Sequence, residues 1–159
     1  MGTKGTQIVD LDVAELIADL NRAYADEWLA VYAYTHMAQV VTGRPAAKNL
    51  AKALDDTAKD ELEHQEELAK RIGQLGGKPL GDISQLVQAS NDGYPMPPAN
   101  EKDFEAIVKT VIAAERGAIE VYNKLVRKTE GKDPVTHALI VHILSEEVEH
   151  ETEFEMVLG

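Results

Sequence analysis

The chain has 159 residues and carries 28 acidic against 16 basic side chains, which gives a formal net charge of −12 at neutral pH. This charge argues against nucleic-acid binding, and the absence of cysteine excludes disulfides, thiolate metal sites and iron–sulfur clusters. With 44% hydrophobic residues and few glycines, prolines and aromatics, the composition favours one all-α domain covering residues 1–159.

The amino-terminal segment Met1–Gln7 lacks the apolar stretch of a signal peptide. No run in the chain approaches the roughly 18 to 20 apolar residues that a membrane span needs. We therefore expect a cytoplasmic protein that does not enter a membrane.

Two long helices are predicted in the first half of the chain. The first begins near Asp12, which resembles an N-cap, and ends at Gly43; the second begins near Pro45 and ends at the Gly76–Gly77 pair. Apolar residues recur at steps of three and four along both helices, so each is expected to bury one face. The expected buried apolar residues are Val13, Leu16, Leu20, Tyr24, Val31, Tyr34, Ala38 and Val41 on the first helix, and Leu50, Leu54, Ala58, Leu68, Ile72 and Leu75 on the second.

The segment 76–100 separates the two halves of the chain. It is rich in proline and holds only one short helical candidate, Asp82–Ala89. Because it is far longer than a tight turn, we expect it to cross the length of a helix bundle.

Two further helices are predicted in the second half. The third begins with Asn100 as its cap and ends at Gly131, and the fourth begins at Asp133–Pro134 and continues to the end of the chain. Their expected buried apolar residues are Phe104, Val108, Val111, Ala118, Tyr122 and Leu125, and then Ile140, Ile143, Phe154 and Val157. Short connections within each pair predict two antiparallel hairpins, and hence a four-helix bundle with one long crossover.

A repeated pattern of acidic residues and histidine runs through these four helices. A lone Glu on the first helix is followed by Glu-x-x-His on the second, and the same order returns on the third and fourth. The residues are Glu27, then Glu61 and His64, then Glu115, then Glu147 and His150. All six fall on the predicted buried faces, and residues three apart on a helix point in nearly the same direction.

Ionised carboxylates on a buried face need a positive partner. Either these glutamates lie at the surface of helices whose phase is misjudged, or they pair with buried basic groups, or they bind metal. No Lys or Arg lies on the four faces near them. Four carboxylates balance the charge of two divalent ions, so we favour a pair of metal ions held by all six residues.

These residues resemble the ferritin-like di-iron carboxylate proteins, whose bundle carries one lone Glu and one Glu-x-x-His in each helix pair. The pair of histidines is similar to the bacterioferritin type of centre, and the end of the chain soon after the fourth helix is similar to the Dps-like branch. The resemblance implies two iron ions per chain, with Glu61 and Glu147 as bridges, and Mn or Zn remain alternatives to Fe. Tyr34 and Tyr122, each seven residues after a lone Glu, lie on the same buried faces, and we expect them to be core aromatics whose hydroxyls hydrogen-bond a ligand carboxylate.

The chain differs from these relatives at some positions, and each difference leads to a prediction. Bacterioferritins usually place a haem-ligating Met directly after the second-helix Glu, but Leu62 stands there, so we expect no haem. No fifth helix follows the fourth, which favours a dodecameric cage over a 24-subunit shell. Only Lys4 is basic before Asp10, so we expect no binding to DNA.

The resemblance implies a ferroxidase that oxidises Fe(II) with O2 or H2O2 and stores ferric mineral in a homo-oligomeric cage. Two alternatives stay open at the level of the sequence. One is a di-iron or di-manganese oxidase, peroxidase or catalase without storage, and the other is a non-catalytic metal-binding helical assembly.

Overall fold

The computed structural model describes residues 3–159, which are all-helical and contain no strand. The helices are α1 (Thr3–Gln7), α2 (Val13–Val40), α3 (Ala47–Gln74), α4 (Leu86–Ala89), α5 (Phe104–Thr129) and α6 (Pro134–Leu158), with a 3-10 turn at Ile83–Gln85. Helices α2, α3, α5 and α6 form the predicted four-helix bundle, and α1 was not predicted. In the described part of the chain, no helix has the length and apolarity that crossing a membrane requires.

The four long helices form two antiparallel hairpins, α2 with α3 and α5 with α6. The crossover between them runs along α2 from one end of the bundle to the other. Near its start Leu80 N donates to Asn21 Oδ1 at 2.8 Å, and beyond its end Thr42 N donates to Glu101 O at 3.1 Å. Helix α5 therefore begins beside the end of α2 and runs antiparallel to it.

Some helices begin or end where the sequence predicted, and others do not. Asp12 caps α2 by accepting from Glu15 N, and Asp133 caps α6 ahead of Pro134, as predicted. The prediction for the start of α5 was wrong by one turn, because Asn100 lies in a turn, where its Oδ1 accepts from Lys102 N, and Asp103 is the cap. Three helices end earlier than predicted: α2 at Val40 rather than Gly43, α3 at Gln74 rather than Gly76–Gly77, and α5 at Thr129 rather than Gly131. Helix α3 also begins at Ala47 rather than Pro45, and the candidate Asp82–Ala89 divides into the 3-10 turn and α4.

Two apolar clusters fill the bundle on either side of its middle. One contains Met37, Leu54 and Phe154, and the other contains Leu20 and Ile72 with their neighbours. Nearly all apolar residues expected to be buried lie in or against these clusters. Val157, however, is 38% exposed because the last turn of α6 extends beyond the core. Val31 is only half-buried and faces a surface groove beside the crossover.

One buried cation was not anticipated. Arg71, at the end of α3, is 4% exposed and donates from Nη2 to both carboxylate oxygens of Asp133 at 2.9 and 3.0 Å. Its Nε donates to Thr136 Oγ1 at 2.7 Å. The charge of Arg71 is thus satisfied at one end of the bundle, by residues outside the repeated pattern.

Candidate metal centre

The structure brings the six residues of the repeated pattern together in the middle of the bundle. Each lies between the two apolar clusters on its helix, and each is almost fully buried. Their exposed fractions are 3% for Glu27, 2% for Glu61, 1% for His64, 1% for Glu115, 1% for Glu147 and 5% for His150. Four carboxylates and two imidazoles therefore share one water-poor interior.

The six side chains divide into two overlapping groups. One group is Glu27, Glu61, His64 and Glu147; the other is Glu61, Glu115, Glu147 and His150. Within each group, one ligand atom per residue lies within 4.8 Å of all the others. When an ion binds ligand atoms at about 2.0–2.2 Å, two ligand atoms on opposite sides of it lie at most about 4.4 Å apart. The ligand atoms of each group are therefore already close to the separations that binding one ion requires. Glu61 and Glu147 belong to both groups, which is the arrangement of bridging ligands.

Both histidines turn Nδ1 inward and Nε2 outward. His64 Nδ1 lies 3.0 Å from Glu61 and 3.1 Å from Glu147, and His150 Nδ1 lies 3.4 Å from Glu115 and 3.5 Å from Glu61. The two ring centroids are 6.1 Å apart. Nδ1 is therefore the nitrogen that each ring offers to an ion.

The outward nitrogen of each histidine faces a carboxylate from the opposite helix. His64 Nε2 lies 2.7 Å from Glu146 on α6, and His150 Nε2 lies 3.3 Å from Asp60 on α3. A carboxylate that accepts from Nε2–H fixes the ring tautomer and leaves Nδ1 as the metal-binding atom.

Asp60 and Glu146 were not among the site residues predicted from the sequence. A signal was present, because each stands directly before the Glu of a Glu-x-x-His motif. Their contacts run from one helix to the other, so the spacing within one helix does not reveal them.

The two tyrosines also connect the helix pairs. The Tyr34 hydroxyl donates to Glu115 Oε1, and the Tyr122 hydroxyl donates to Glu27 Oε1. Burial raises the pKa of both phenols well above 10, and the neighbouring carboxylates raise it further. Both tyrosines therefore remain hydrogen-bond donors, and each fixes one lone Glu.

Burial and mutual repulsion hold protons on two carboxyl groups. The pKa of Glu61 is raised well above 4.5, first by burial and then by the charges of Glu147, Glu27 and Glu115. Burial likewise raises the pKa of Glu115 to about 8. At neutral pH, protons thus occupy part of the centre in place of cations.

The pKa values of the two imidazoles and of Glu147 are shifted in the direction opposite to the effect of burial alone. Burial lowers the pKa of His64 and His150, but their close contacts with the surrounding glutamates outweigh it and raise both. Burial raises the pKa of Glu147, but the two histidines lower it to about 2. The histidines are therefore protonated at neutral pH and supply the centre's positive charge.

Several polar atoms of the centre lack the partners that buried groups normally have. Glu115 Oε2, Glu147 Oε1 and His150 Nδ1 are inaccessible to solvent and make no well-aligned hydrogen bond. Their nearest polar neighbours belong to the same centre, since Glu147 Oε1 lies 3.1 Å from His64 Nδ1 and Glu115 Oε2 lies 3.4 Å from His150 Nδ1. Among residues 3–159, the only basic nitrogens within 4.0 Å of the four glutamates belong to His64 and His150. Unpartnered ligand atoms facing each other across a small space fit a pair of divalent ions.

Residues 17–159 match the family model of the ferritin-like domain. The DNA protection during starvation protein of Pyrococcus furiosus is 35% identical over 150 residues, which cover 93% of this chain and 79% of that protein. The bacterioferritin of Desulfovibrio desulfuricans is 30% identical over 146 residues, covering 91% and 74%.

Solved structures give the same result. The bacterioferritin-related protein of Bacteroides fragilis, described as a dodecameric thioferritin, superposes with a TM-score of 0.93 at 31% identity, covering 99% of this chain and 93% of that one. Dps from Listeria monocytogenes has a TM-score of 0.83 over 94% of both chains at 17% identity, and this likeness concerns the fold alone.

Proposed function

Because the chain belongs to the ferritin-like family, we propose that it is an iron-storage subunit with ferroxidase activity. It binds two Fe(II) ions within one chain, oxidises them with O2 or H2O2, and retains the ferric product in a homo-oligomeric cage. The observation that carries this proposal is the pair of overlapping ligand groups that share Glu61 and Glu147.

The donor set supports iron as the substrate. Each position has one imidazole nitrogen and carboxylate oxygens from three glutamates. Such a set suits Fe(II), Mn(II) and Zn(II), and oxygen donors favour iron further once it is oxidised. Four ionised glutamates also match the four positive charges of two Fe(II) ions.

The proposed reaction transfers one electron from each ion. Two Fe(II), one H2O2 and two protons give two Fe(III) and two waters, with cleavage of the O–O bond. With O2 as oxidant, two Fe(II) and two protons give two Fe(III) and one H2O2. The chain contributes by holding both ions between Glu61 and Glu147, so that both electrons reach one oxidant molecule.

The surrounding residues keep this geometry fixed. Tyr34 and Tyr122 hold the two lone glutamates by hydrogen bonds, while Glu146 and Asp60 face the outward nitrogens of the histidines. Ligands that are oriented before the ions arrive reduce the reorganisation that oxidation requires.

Storage requires a closed shell, since a lone bundle cannot confine much ferric product. The relative from B. fragilis is described as dodecameric, and we propose twelve subunits here as well. The acidic outer faces of α3 and α6 would line the interior. A cytoplasmic location and the absence of haem at the Leu62 position stay predictions from the sequence.

One experiment separates this function from its alternatives. The protein is loaded with Fe(II) without oxygen, O2 or H2O2 is added, and ferric absorbance and the iron retained after gel filtration are measured. We expect fast oxidation of two Fe(II) per chain, followed by retention of added iron. Glu61→Ala should abolish the fast phase with helicity unchanged, whereas Glu63→Ala, an exposed position on the same helix, should not.

Other outcomes would contradict the proposal. Turnover of peroxide with all iron left in solution would indicate an oxidase or catalase, and binding without oxidation would indicate a metal buffer.

A further inference from the structure

A groove of about 550 Å³ lies on the surface between α2 and the crossover. Eleven residues from these two segments line it, and all of them are apolar or aromatic except Thr35 and Gly81. Within residues 3–159, no Asp, Glu, Lys, Arg or His side chain lines this groove. We call it the α2–crossover groove.

Aromatic side chains are concentrated in this groove. The chain has one Trp, five Tyr and two Phe, and half of these eight residues, Tyr24, Trp28, Tyr32 and Tyr94, line the groove. They form two pairs, with ring centroids 6.4 Å apart for Tyr24 and Trp28 and 6.2 Å apart for Tyr32 and Tyr94. Tyr32 is nevertheless 68% exposed. Because Tyr and Trp are the residues most enriched at the centres of protein–protein interfaces, this groove has the composition of such an interface.

One apolar side chain at the edge of the groove projects into solvent. Ile83 is 83% exposed, and Val87 nearby is 57% exposed. Asp82 fixes the 3-10 turn that carries Ile83. Its carboxylate accepts from Ser84 N at 3.0 Å, from Ser84 Oγ at 2.6 Å and from Gln85 Nε2 at 2.8 Å. An apolar projection beside an apolar groove makes the surface complementary to a second copy of itself, as a two-fold interface requires.

The walls of the groove are held together by contacts within the chain. Asn21 Oδ1 accepts from Leu80 N at 2.8 Å, and Asn21 Nδ2 donates to Lys78 O at 3.1 Å, so the crossover is fixed to α2. Leu29 and Leu86, 7% and 8% exposed, belong to one apolar cluster beneath the groove. A surface that is already ordered loses little conformational entropy when a partner binds.

The charge of the chain indicates which exposed apolar face suits a second copy. Each chain has a net charge of −12, so two copies repel each other unless they meet at a face without acidic groups. The α2–crossover groove is such a face. By contrast, the exposed Val148 on α6 lies on the side of the bundle that carries most of the acids of α3 and α6.

The size of the groove also suits an interface between two chains. One side of a standard protein–protein interface uses roughly 20–30 residues. The eleven lining residues would form its apolar centre, and the polar residues around them would form its rim. Contiguous apolar surface of this kind is uncommon on a protein that stays monomeric.

We propose that the α2–crossover groove is where a second copy of this chain docks about a two-fold axis, with Ile83 of each copy seated in the groove of the other. This inference rests on the proposed function in one respect: a closed cage requires contacts between subunits, and the groove supplies one of them. The six centre residues all belong to one chain, so metal binding does not depend on this contact.

The test places a charge on the docking surface at exposed positions, where the core is not disturbed. Ile83→Asp and Tyr32→Asp change the groove and its edge. Val148→Asp adds the same charge at a position that is 46% exposed on α6 and is the matched control. Analytical ultracentrifugation at micromolar concentration measures the mass of each protein, circular dichroism measures its helicity, and calorimetric titration measures Zn(II) binding.

Both groove variants should fall to no more than half of the wild-type mass, with helicity and Zn(II) binding unchanged. Val148→Asp should keep the wild-type mass. Because the chain has no cysteine, Ile83→Cys introduces a single reactive thiol. A short bifunctional maleimide should therefore join two Ile83→Cys chains, and it should not join two Val148→Cys chains.

Three results would overturn the proposal. They are wild-type mass in both groove variants, an equal loss of mass in Val148→Asp, and a wild-type protein that is monomeric, whose groove would then serve another ligand. If the wild-type protein assembles and loses its assembly in the groove variants but does not oxidise Fe(II), the proposed function fails and the docking site stands.

Discussion

Single side chains outside the six residues of the centre contact the outward nitrogens of the two histidines. Glu146 lies closer to its histidine than Asp60 does, 2.7 against 3.3 Å, and its side chain is slightly less exposed, 40% against 50%. His142 Nε2 also lies 3.6 Å from Glu146. We infer that the His64 ring is held more firmly than the His150 ring.

Removing the charge of Glu146 should weaken metal binding although Glu146 is not a proposed ligand. Glu146→Gln is expected to reduce Zn(II) affinity about 10–100-fold, because a neutral amide replaces the charged acceptor that orients the His64 ring and raises its basicity. Asp60→Asn should have a smaller effect. Calorimetric titration measures both, with Glu149→Gln, an exposed position on the same helix, as control; equal affinities for Glu146→Gln and the control would contradict this role.

Metal binding should release protons. At neutral pH, Glu115 holds a proton because burial raises its pKa to about 8, and the raised pKa values of Glu61, His64 and His150 favour the protonated forms of these groups as well. Two ions that bind both carboxylates and both Nδ1 atoms displace these protons. Since raised pKa values favour the protonated, metal-free form, affinity should rise with pH, most steeply below the Glu115 pKa of about 8.

A weakly buffered titration with Zn(II) and a pH indicator measures this release without oxidation chemistry. We expect a net release of protons at pH 7 and a smaller release above pH 8, where Glu115 has lost its proton before the metal binds. Zinc binding that is independent of pH would show that these groups are not the ligands.

At the scale of the helices, Asp133 is both the N-cap of α6 and a partner in a buried ion pair. It caps α6 by accepting from Val135 N and Thr136 N, and it pairs with the buried Arg71. Burial raises the pKa of Asp133, but Thr136 and Arg71 outweigh this effect and lower it below 3.8.

Asp133→Ala should therefore destabilise the bundle by about 3–5 kcal/mol, because it leaves the Arg71 charge buried without its partner. Asp103→Ala, which removes an N-cap without a buried ion pair, should cost about 1 kcal/mol. Urea unfolding measures both. Because the folded-state pKa of Asp133 is depressed, the difference between wild type and Asp133→Ala should shrink as pH falls through that pKa; equal losses in the two variants would contradict the role of the pair.

The periodic spacing of apolar residues predicted the four long helices and the burial of the six centre residues. This was possible because the buried face of a helix follows from the spacing of residues within that helix, which a single sequence contains. Contacts between segments that are distant in sequence could not be predicted in the same way. Asn100 and Asp103 are both plausible caps in sequence, and Val31 fits the buried face by spacing, yet the path of the crossover places it beside a surface groove.

At the scale of the whole molecule, storage depends on assembly. A dodecamer should have a mass of roughly 209 kDa, twelve times 17.4 kDa. Light scattering with electron microscopy should show a hollow particle that gains a dense core on iron loading. A monomer or dimer with no retained iron would favour an oxidase and remove the storage function.

The net charge of −12 leads to a prediction about DNA, although one relative is named a DNA protection protein. The charge repels phosphates, and a single Lys4 before Asp10 offers little to offset it. Duplex DNA should not shift in a gel at physiological salt without divalent metal. A shift that weakens with added salt would contradict this expectation.

We propose that one chain holds two ions between Glu61 and Glu147. Anomalous diffraction at the iron absorption edge, from crystals loaded with Fe(II) without oxygen, locates these ions. We expect two peaks per chain, one beside His64 Nδ1 and one beside His150 Nδ1, each at about 2.0–2.2 Å from its imidazole nitrogen. A single peak in the bundle, or ions shared between neighbouring chains, would contradict it.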